Sequence, residues 1–320
     1  MSDFQPSASR FFGGQAVAVA YSGFREGQHP DRGEGEGGPS KEEILEDLQI
    51  LDHHGLHLIR LYDSGTNSRQ VLEVVREHEL PFNVVLGVWL AAEEDSHTTC
   101  AWLDAPYPPE LLAANRGKNA EELKRAIHLA GSFEDIVVAV NVGNENLVTW
   151  NDHLVSIDSM VAYLEELSSM INQPVTTADN YLAYVEHASR LREAVDFAFV
   201  HTYPVWEGKP VSEAMAYTRA NMELVSEAMP GVPLAIGEAG WPSRASEFPD
   251  RAGPQAQVSY LLGLTDFARD TGVTTFVFEA FDEPWKGNPR NPDGAEKHWG
   301  LFDVHRAPKP AADLFTRSTE

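Results

Sequence analysis

The sequence predicts an α/β protein folded as a single (β/α)8 TIM barrel that takes in residues 1–320, and three observations lead there. Short apolar runs alternate with amphipathic helical stretches eight times along the chain, which argues for a parallel sheet closed on itself. Two of the apolar runs share one design, a hydrophobic strand followed by Gly and then Glu: Ile136 to Asn146 (IVVAVNVGNEN) and Pro233 to Ser243 (PLAIGEAGWPS). All seven tryptophans follow predicted strands and none lies in a predicted helix. A barrel collects its strand-end loops on one rim, so these features fall on the same face.

In chain order, Ala16–Tyr21 is the first predicted strand, followed by a loop rich in Gly and acid from Arg25 to Pro39. Ser40 and Glu43 form a capping box that opens a helix to about His54. His57–Leu61 is the second strand, with Arg60 inside it, and Asn67–His78 is helical. Asn83–Val88 is the third strand, followed by a long loop through Trp102 and Tyr107 and a helix over Asn119–Leu129. The Glu145 strand is fourth, with a helix over Ile157–Ile171. Val175–Ala178 is fifth, with a helix over Glu186–Ala194. Phe197–Thr202 is sixth, with a helix over Val211–Met229. The Glu238 strand is seventh, with a helix over Pro254–Thr271, and Thr275–Phe278 is eighth. No linker or shift in composition divides the chain, and 42% hydrophobic content suffices for one large core.

The formal net charge of −25 argues against nucleic acid or an anionic membrane as partner and suits a neutral ligand. No apolar stretch reaches the roughly 18 residues that a membrane span requires. MSDFQPSASRFF lacks the basic-then-apolar pattern of a signal peptide. The expectation is a cytoplasmic protein, or a secreted or periplasmic one whose leader has been removed, acting as a monomer. Cys100 is the lone cysteine, so neither an intrachain disulfide nor a cysteine-based zinc site is expected.

A carboxylate at the tip of a buried strand must be held there against its desolvation cost, which suits a reactive group better than a surface charge. Two such carboxyls on one rim are what glycoside hydrolysis uses: one protonates the leaving oxygen, the other attacks the sugar carbon. The tryptophans, Trp241 among them, offer flat apolar faces to pyranose rings, although large loops also need aromatic cores of their own. The histidines invite another reading. His201 has the chemistry of a general base or metal ligand, but His53, His54 and His57 lie before or at the start of the second strand, on the wrong face. A barrel metallohydrolase wants a His-x-His pair after the first strand, where this chain has Ala20 and Tyr21. No metal or other cofactor is expected.

With these residues assembled, the sequence resembles the family 17 glycoside hydrolases, the β-1,3-glucanases and their glucanosyltransferase relatives, in clan A of the barrel glycosidases. The matching segments are IRLYDS (59–64), VGNEN (142–146), HTYP (201–204), GEAGWPS (237–243) and FEAFDEPWK (278–286). EKHWGLF (296–302) is similar to the microbial branch. The resemblance implies that Glu145 is the general acid/base and Glu238 the nucleophile, with Asn144 bonding the sugar 2-hydroxyl. Arg60 and Tyr203 would stand beside Glu238, Glu283 and Lys286 would line the cleft, and Tyr21 matches the aromatic that ends the first strand. The plant members' segments after strands one and five are missing, and Ala239 stands where a hydroxyl residue is common. The implied activity is retaining hydrolysis of β-1,3-glucan such as laminarin, endo-acting, with the two carboxyls about 5–5.5 Å apart. Glucanosyl transfer through the same intermediate is the alternative, and a non-catalytic glucan-binding barrel the reading from another class.

Overall fold

The computed structural model describes residues 6–30 and 37–316. Parts of the first loop and both ends of the 1–320 range therefore lie outside the described residues. Eight parallel strands close into one barrel in sequence order, with β1 paired to β8. They are β1 (Val17–Ala20), β2 (Leu58–Arg60), β3 (Asn83–Val88), β4 (Val137–Asn144), β5 (Val175–Asn180), β6 (Ala198–His201), β7 (Leu234–Ala239) and β8 (Thr275–Val277). The helices are α1 (Lys41–His53), α2 (Thr66–Glu77), α3 (Pro109–Ser132), α4 (Ile157–Met170), α5 (Tyr181–Glu186), α6 (Ala188–Ala194), α7 (Val211–Ala228) and α8 (Pro254–Thr271). The Ser40–Glu43 capping box opens α1, each side chain bonding the other residue's backbone N–H. Among the described residues no helix is long and apolar enough to cross a membrane.

Alternation along the strands separates two cores. One face packs on the helices through residues such as Val19, Ile59, Val84, Val140 and Ile236. The other fills the barrel with Ala18, Leu58, Val85, Ala139, Ala178, Phe199, Ala235 and Phe276. Alanines on four strands leave room for the phenylalanines, whose rings meet edge-on: Phe199 and Phe276 have centroids 5.1 Å apart. A short 3₁₀ helix, Ala8–Phe12, closes the N-terminal end and sets Phe12 against Phe197 and Phe276, at 5.4 and 5.9 Å. The sequence pattern gave no sign of this plug.

The elements depart from expectation in three places. α3 begins ten residues early, at Pro109, because proline at the first helical position needs no N–H partner and fixes a helical φ. Its polar Asn115 and Asn119 face inward and bond the carbonyls of Ala92 and Ala91, which hides the apolar periodicity. β5 runs on through Asp179 and Asn180, and Asn180 caps a helix, α5, that starts before the expected one. The polar strand end is tolerated because Asp179 accepts the N–H groups of Leu147 and Asn180.

Candidate active site

The two Gly-Glu strand ends depend on local irregularities that re-aim their side chains. In β6 and β7, Val200 pairs with Ile236 but His201 pairs with Glu238, so Gly237 is an extra residue. Ile236 faces the helices, and strict alternation would send Glu238 the same way. The bulge turns it inward, onto the face shared by Phe199 and His201. A Cβ at Gly237 would come within 3.1 Å of Phe199 and 3.2 Å of His201, so a side chain there would press both rings aside by a few tenths of an ångström. In β4 and β5 the register also slips, between Asn141 and Asn144, which sets Asn144 opposite inward-facing Ala178. Gly143 takes φ 75° and Glu145 φ 53°, a left-handed tip that throws Glu145 over the barrel mouth. Asn146 braces this tip, accepting from the Asn144 N–H at 2.8 Å and donating to the Leu90 carbonyl.

Glu238 is almost fully buried. Its Oε1 accepts from Arg60 Nη1 and from the Tyr62 hydroxyl, both at 2.9 Å, and its Oε2 accepts from the Tyr203 hydroxyl at 2.5 Å. Burial works against its charge. The His201 imidazole, the Arg60 guanidinium and the Tyr203 and Tyr62 hydroxyls outweigh burial, and the carboxyl is held below its usual range. Burial, and then the charge on Glu238, push both tyrosines well above their ordinary pKa, so they remain donors. Arg60 has no exposed surface and lies over the faces of Tyr62 and Phe199, at 4.7 and 5.0 Å. Its Nη2 donates to Asn144 Oδ1 at 2.7 Å, which leaves the NH2 end of that amide to meet a ligand hydroxyl.

Glu145 is more open, with its side chain 21% exposed. Asn151 Nδ2 donates to both its backbone carbonyl and its carboxylate, at 3.2 and 3.4 Å. His201 Nδ1 lies 3.0 Å from Glu145 Oε1 and 3.6 Å from Glu238 Oε2. Those two oxygens are therefore no farther apart than the two distances laid end to end, an upper bound that falls at about the short end of the roughly 6.5–9.5 Å separation of inverting pairs.

The structure thus brings Glu145, Glu238, Arg60, Asn144 and Tyr203 together, and places the other expected residues differently. Tyr21 shares the outward face of Val19, is buried, and packs on Phe281 with its hydroxyl 3.3 Å from Asp47. Trp241 is fully buried too, tilted on Tyr260 with its Nε1 bonded to the Arg251 carbonyl. Neither presents a face to a sugar, because the strand end each follows points it at the helices. Glu283 lies beneath the cleft surface, held by the Ser22 hydroxyl at 2.5 Å, Trp285 Nε1 at 2.9 Å and Lys286 Nζ at 2.6 Å. Lys286 stands partly exposed above it and also bonds Glu279 at 2.5 Å.

Several residues at the site were not singled out from sequence, and His201 was weighed there only as a general base or metal ligand. Tyr62 and His201 touch the carboxylates directly. Asp179, behind Glu145, is held well above the usual carboxyl range, by burial first and then by the charge of Glu145. Glu279 is pushed up likewise, by burial first, against Lys286 and helped by Glu283. Glu296 is pushed up to about 7, again by burial first, with Lys286 opposing and the charges of Glu145 and Glu238 adding. A strand-end position was the available signal for Tyr62, His201 and Asp179, while Glu279 and Glu296 lie within the matching segments 278–286 and 296–302.

A cleft of 1560 Å³ opens on the flank formed by Trp89, Asn115, Asn119, Asp152 and His153. Neither Glu145 nor Glu238 lines it. It touches the tip of β4 through His153, whose Nε2 bonds the carbonyl of Asn144, the residue before Glu145, at 2.7 Å. On the opposite flank Trp206, 44% exposed, stands edge-on to Phe248 and tilted on Trp299, which meets Tyr203 at 5.3 Å. Trp150, 40% exposed, adjoins Asn151 beside Glu145.

A closed eight-stranded barrel with two carboxylates meeting over its C-terminal mouth is the layout of a barrel glycoside hydrolase. The family model of the BtgE/BtgC glycoside hydrolase domain matches residues 18–300, and the chain belongs to that family. It is 27% identical over 282 residues to a glucan 1,3-beta-glucosidase of Arthroderma benhamiae, covering 83% of each chain. A glucan 1,3-beta-glucosidase of Saccharomyces cerevisiae is 26% identical over 257 residues, covering 75% of this chain and 74% of that one. Among solved structures, an endo-laminarinase from Formosa superimposes with a TM-score of 0.79 at 25% identity, covering 96% of this chain and 88% of the other. A family 17 β-1,3-glucanosyltransferase from Rhizomucor miehei, at 20% identity and a TM-score of 0.71, covers 93% of this chain and 97% of its own and shares the fold.

Proposed function

We propose that this protein is a retaining β-1,3-glucanase that cleaves internal linkages of laminarin-type glucan. Glu145 is the general acid/base and Glu238 the nucleophile. The observation that carries the reading is the approach of both carboxylates to the one nitrogen of His201, which keeps their nearest oxygens no farther apart than about the short end of the separation that inverting pairs use. Arg60, Tyr62 and Tyr203 keep Glu238 ionised and fix its oxygens. Glu145, more exposed and hung over the mouth, reaches the glycosidic oxygen, and Asn144 presents its amide NH2 to the 2-hydroxyl. Lys286, with Glu279 and Glu283 behind it, offers a donor to the sugar hydroxyls, while Trp150 and Trp206 give flat faces to pyranose rings.

Hydrolysis then proceeds in two displacements. Glu238 bonds to the anomeric carbon as the leaving oxygen takes the proton of Glu145. Water next gives its proton to Glu145 and its oxygen to that carbon, and Glu238 is released as carboxylate. The relatives named for 1,3-β-glucan support the substrate class, and the open cleft beside His153 supports an internal cut, since it has room for a continuing chain. The test is to incubate the protein with laminarin, separate products by size, and follow the new anomeric signal by proton NMR. Short oligosaccharides that appear first in the β configuration are expected. Products longer than the substrate would mark glucanosyl transfer, and α-configured first products would overturn the double displacement.

A further inference from the structure

His201 stands between the two carboxylates, and its proton can be located from its neighbours. Its ring has no exposed surface. Arg60 Nη1 points at His201 Nε2 from 2.9 Å. A guanidinium has no lone pair to accept with, so Nε2 is the acceptor and is bare. The neutral ring then carries its proton on Nδ1, the atom 3.0 Å from Glu145 and 3.6 Å from Glu238.

We propose that His201 is a positioning residue whose single Nδ1 proton serves the two catalytic carboxylates in turn, following the negative charge between them through the double displacement. This rests on the retaining reading above. In the first displacement Glu145 is protonated and Glu238 is the anion, so the N–H turns to Glu238. Once Glu238 is an ester, Glu145 is the anion and the N–H returns to it. The two distances differ by less than an ångström, so a small tilt of the ring is enough. Arg60 makes this possible twice over: it fixes the tautomer through Nη1 and holds the far end of the ring while Nδ1 changes partner.

The charged and titratable groups around His201 are Arg60 from β2, Glu145 from the tip of β4, Glu238 from β7 and Tyr203 beyond its own strand. Asp179 of β5 lies behind Glu145, Tyr62 shares Glu238, and Glu296 approaches from the last loop. Of these, Glu145 accepts from Nδ1 at 3.0 Å and Glu238 Oε2 stands next in reach at 3.6 Å, so loss of that N–H should act on both.

The first test uses the unaltered protein labelled with ¹⁵N-histidine near pH 7.5. A protonated Nδ1 and a bare Nε2 are expected for His201, and a proton on Nε2 would overturn the proposal. The second compares pH profiles of kcat/KM on a laminari-oligosaccharide. In His201→Phe both limbs should move to higher pH by about half a unit or more, since each carboxylate loses a donor that favours its anion. His201→Asn, whose amide nitrogen sits near the Nδ1 position, should return the limbs toward their original places. A drop in height with both limbs unmoved would mean that the ring only fills space, and would sink the idea. Failure of the unaltered protein to cleave any β-1,3-glucan would remove the retaining reading and this role together. Cleavage with an Nε2 proton would remove this role alone.

Discussion

The hydroxyl of Tyr203 donates to Oε2 of Glu238 at 2.5 Å, opposite the oxygen taken by Arg60 and Tyr62. Hydrogen bonds to a charged group contribute about 1.5–3 kcal/mol, so the loss of this one should raise the Glu238 pKa by roughly a unit. The sign follows from the active form: Glu238 attacks only as carboxylate, and a higher pKa means that more of it is protonated in acid. Tyr203→Phe should therefore shift the acid limb of kcat/KM upward by about a unit. A limb that stays in place would show that this hydroxyl does not tune the nucleophile.

Glu145 is the more exposed of the pair, and its proposed work is proton transfer. Glu145→Gln should lower the rate on laminarin by about 10²–10⁴. An aryl glycoside with an activated leaving group needs little protonation, so its first step should suffer much less. Near-parent turnover of laminarin by this variant would place the acid elsewhere.

Asp179 offers a test through stability. Its folded pKa is raised above the unfolded value of about 3.9, so its contribution is full below that value and fades as pH rises through the folded pKa. Asp179→Asn removes the titration, along with one of the two acceptors that hold Leu147 and Asn180. The variant's deficit in urea midpoint should be widest at the lowest pH where the barrel is folded and should narrow toward alkaline pH. A deficit that widens with pH would contradict the assignment.

The fold was legible from the eightfold alternation, and Glu145, Glu238, Asn144, Arg60 and Tyr203 from strand ends and motifs. What the pattern could not carry was side-chain direction after a bulge. Glu238 faces inward because Gly237 is an extra residue, whereas Tyr21 and Trp241 keep to the helix side; single-letter alternation does not distinguish these cases. Asn115 and Asn119 hid the first turns of α3 because polar residues on an inward face break the apolar period. The Phe12 plug was hidden for a different reason, since it depends on contact with Phe197 and Phe276, far away in sequence.

The exposed tryptophans should report binding. An aromatic platform contributes about 0.5–1.5 kcal/mol beyond burial, so Trp206→Ala and Trp150→Ala should each weaken laminari-oligosaccharide binding by roughly 2- to 13-fold. Trp241→Phe, in the core, should leave binding near the parent value. Affinity followed by tryptophan emission should change little between low and moderate salt, because a neutral glucan releases no counterions. A steep loss with salt would argue for an ionic ligand.

The central claim is that Glu238 forms a covalent bond to the sugar. A 2-deoxy-2-fluoro laminaribiosyl donor with a good leaving group slows release more than attachment, so the ester should accumulate and survive proteolysis. Mass analysis of the peptides is expected to find the label on the one containing Glu238. A label on any other peptide, or a protein that turns over laminarin without ever being labelled, would contradict the nucleophile assignment.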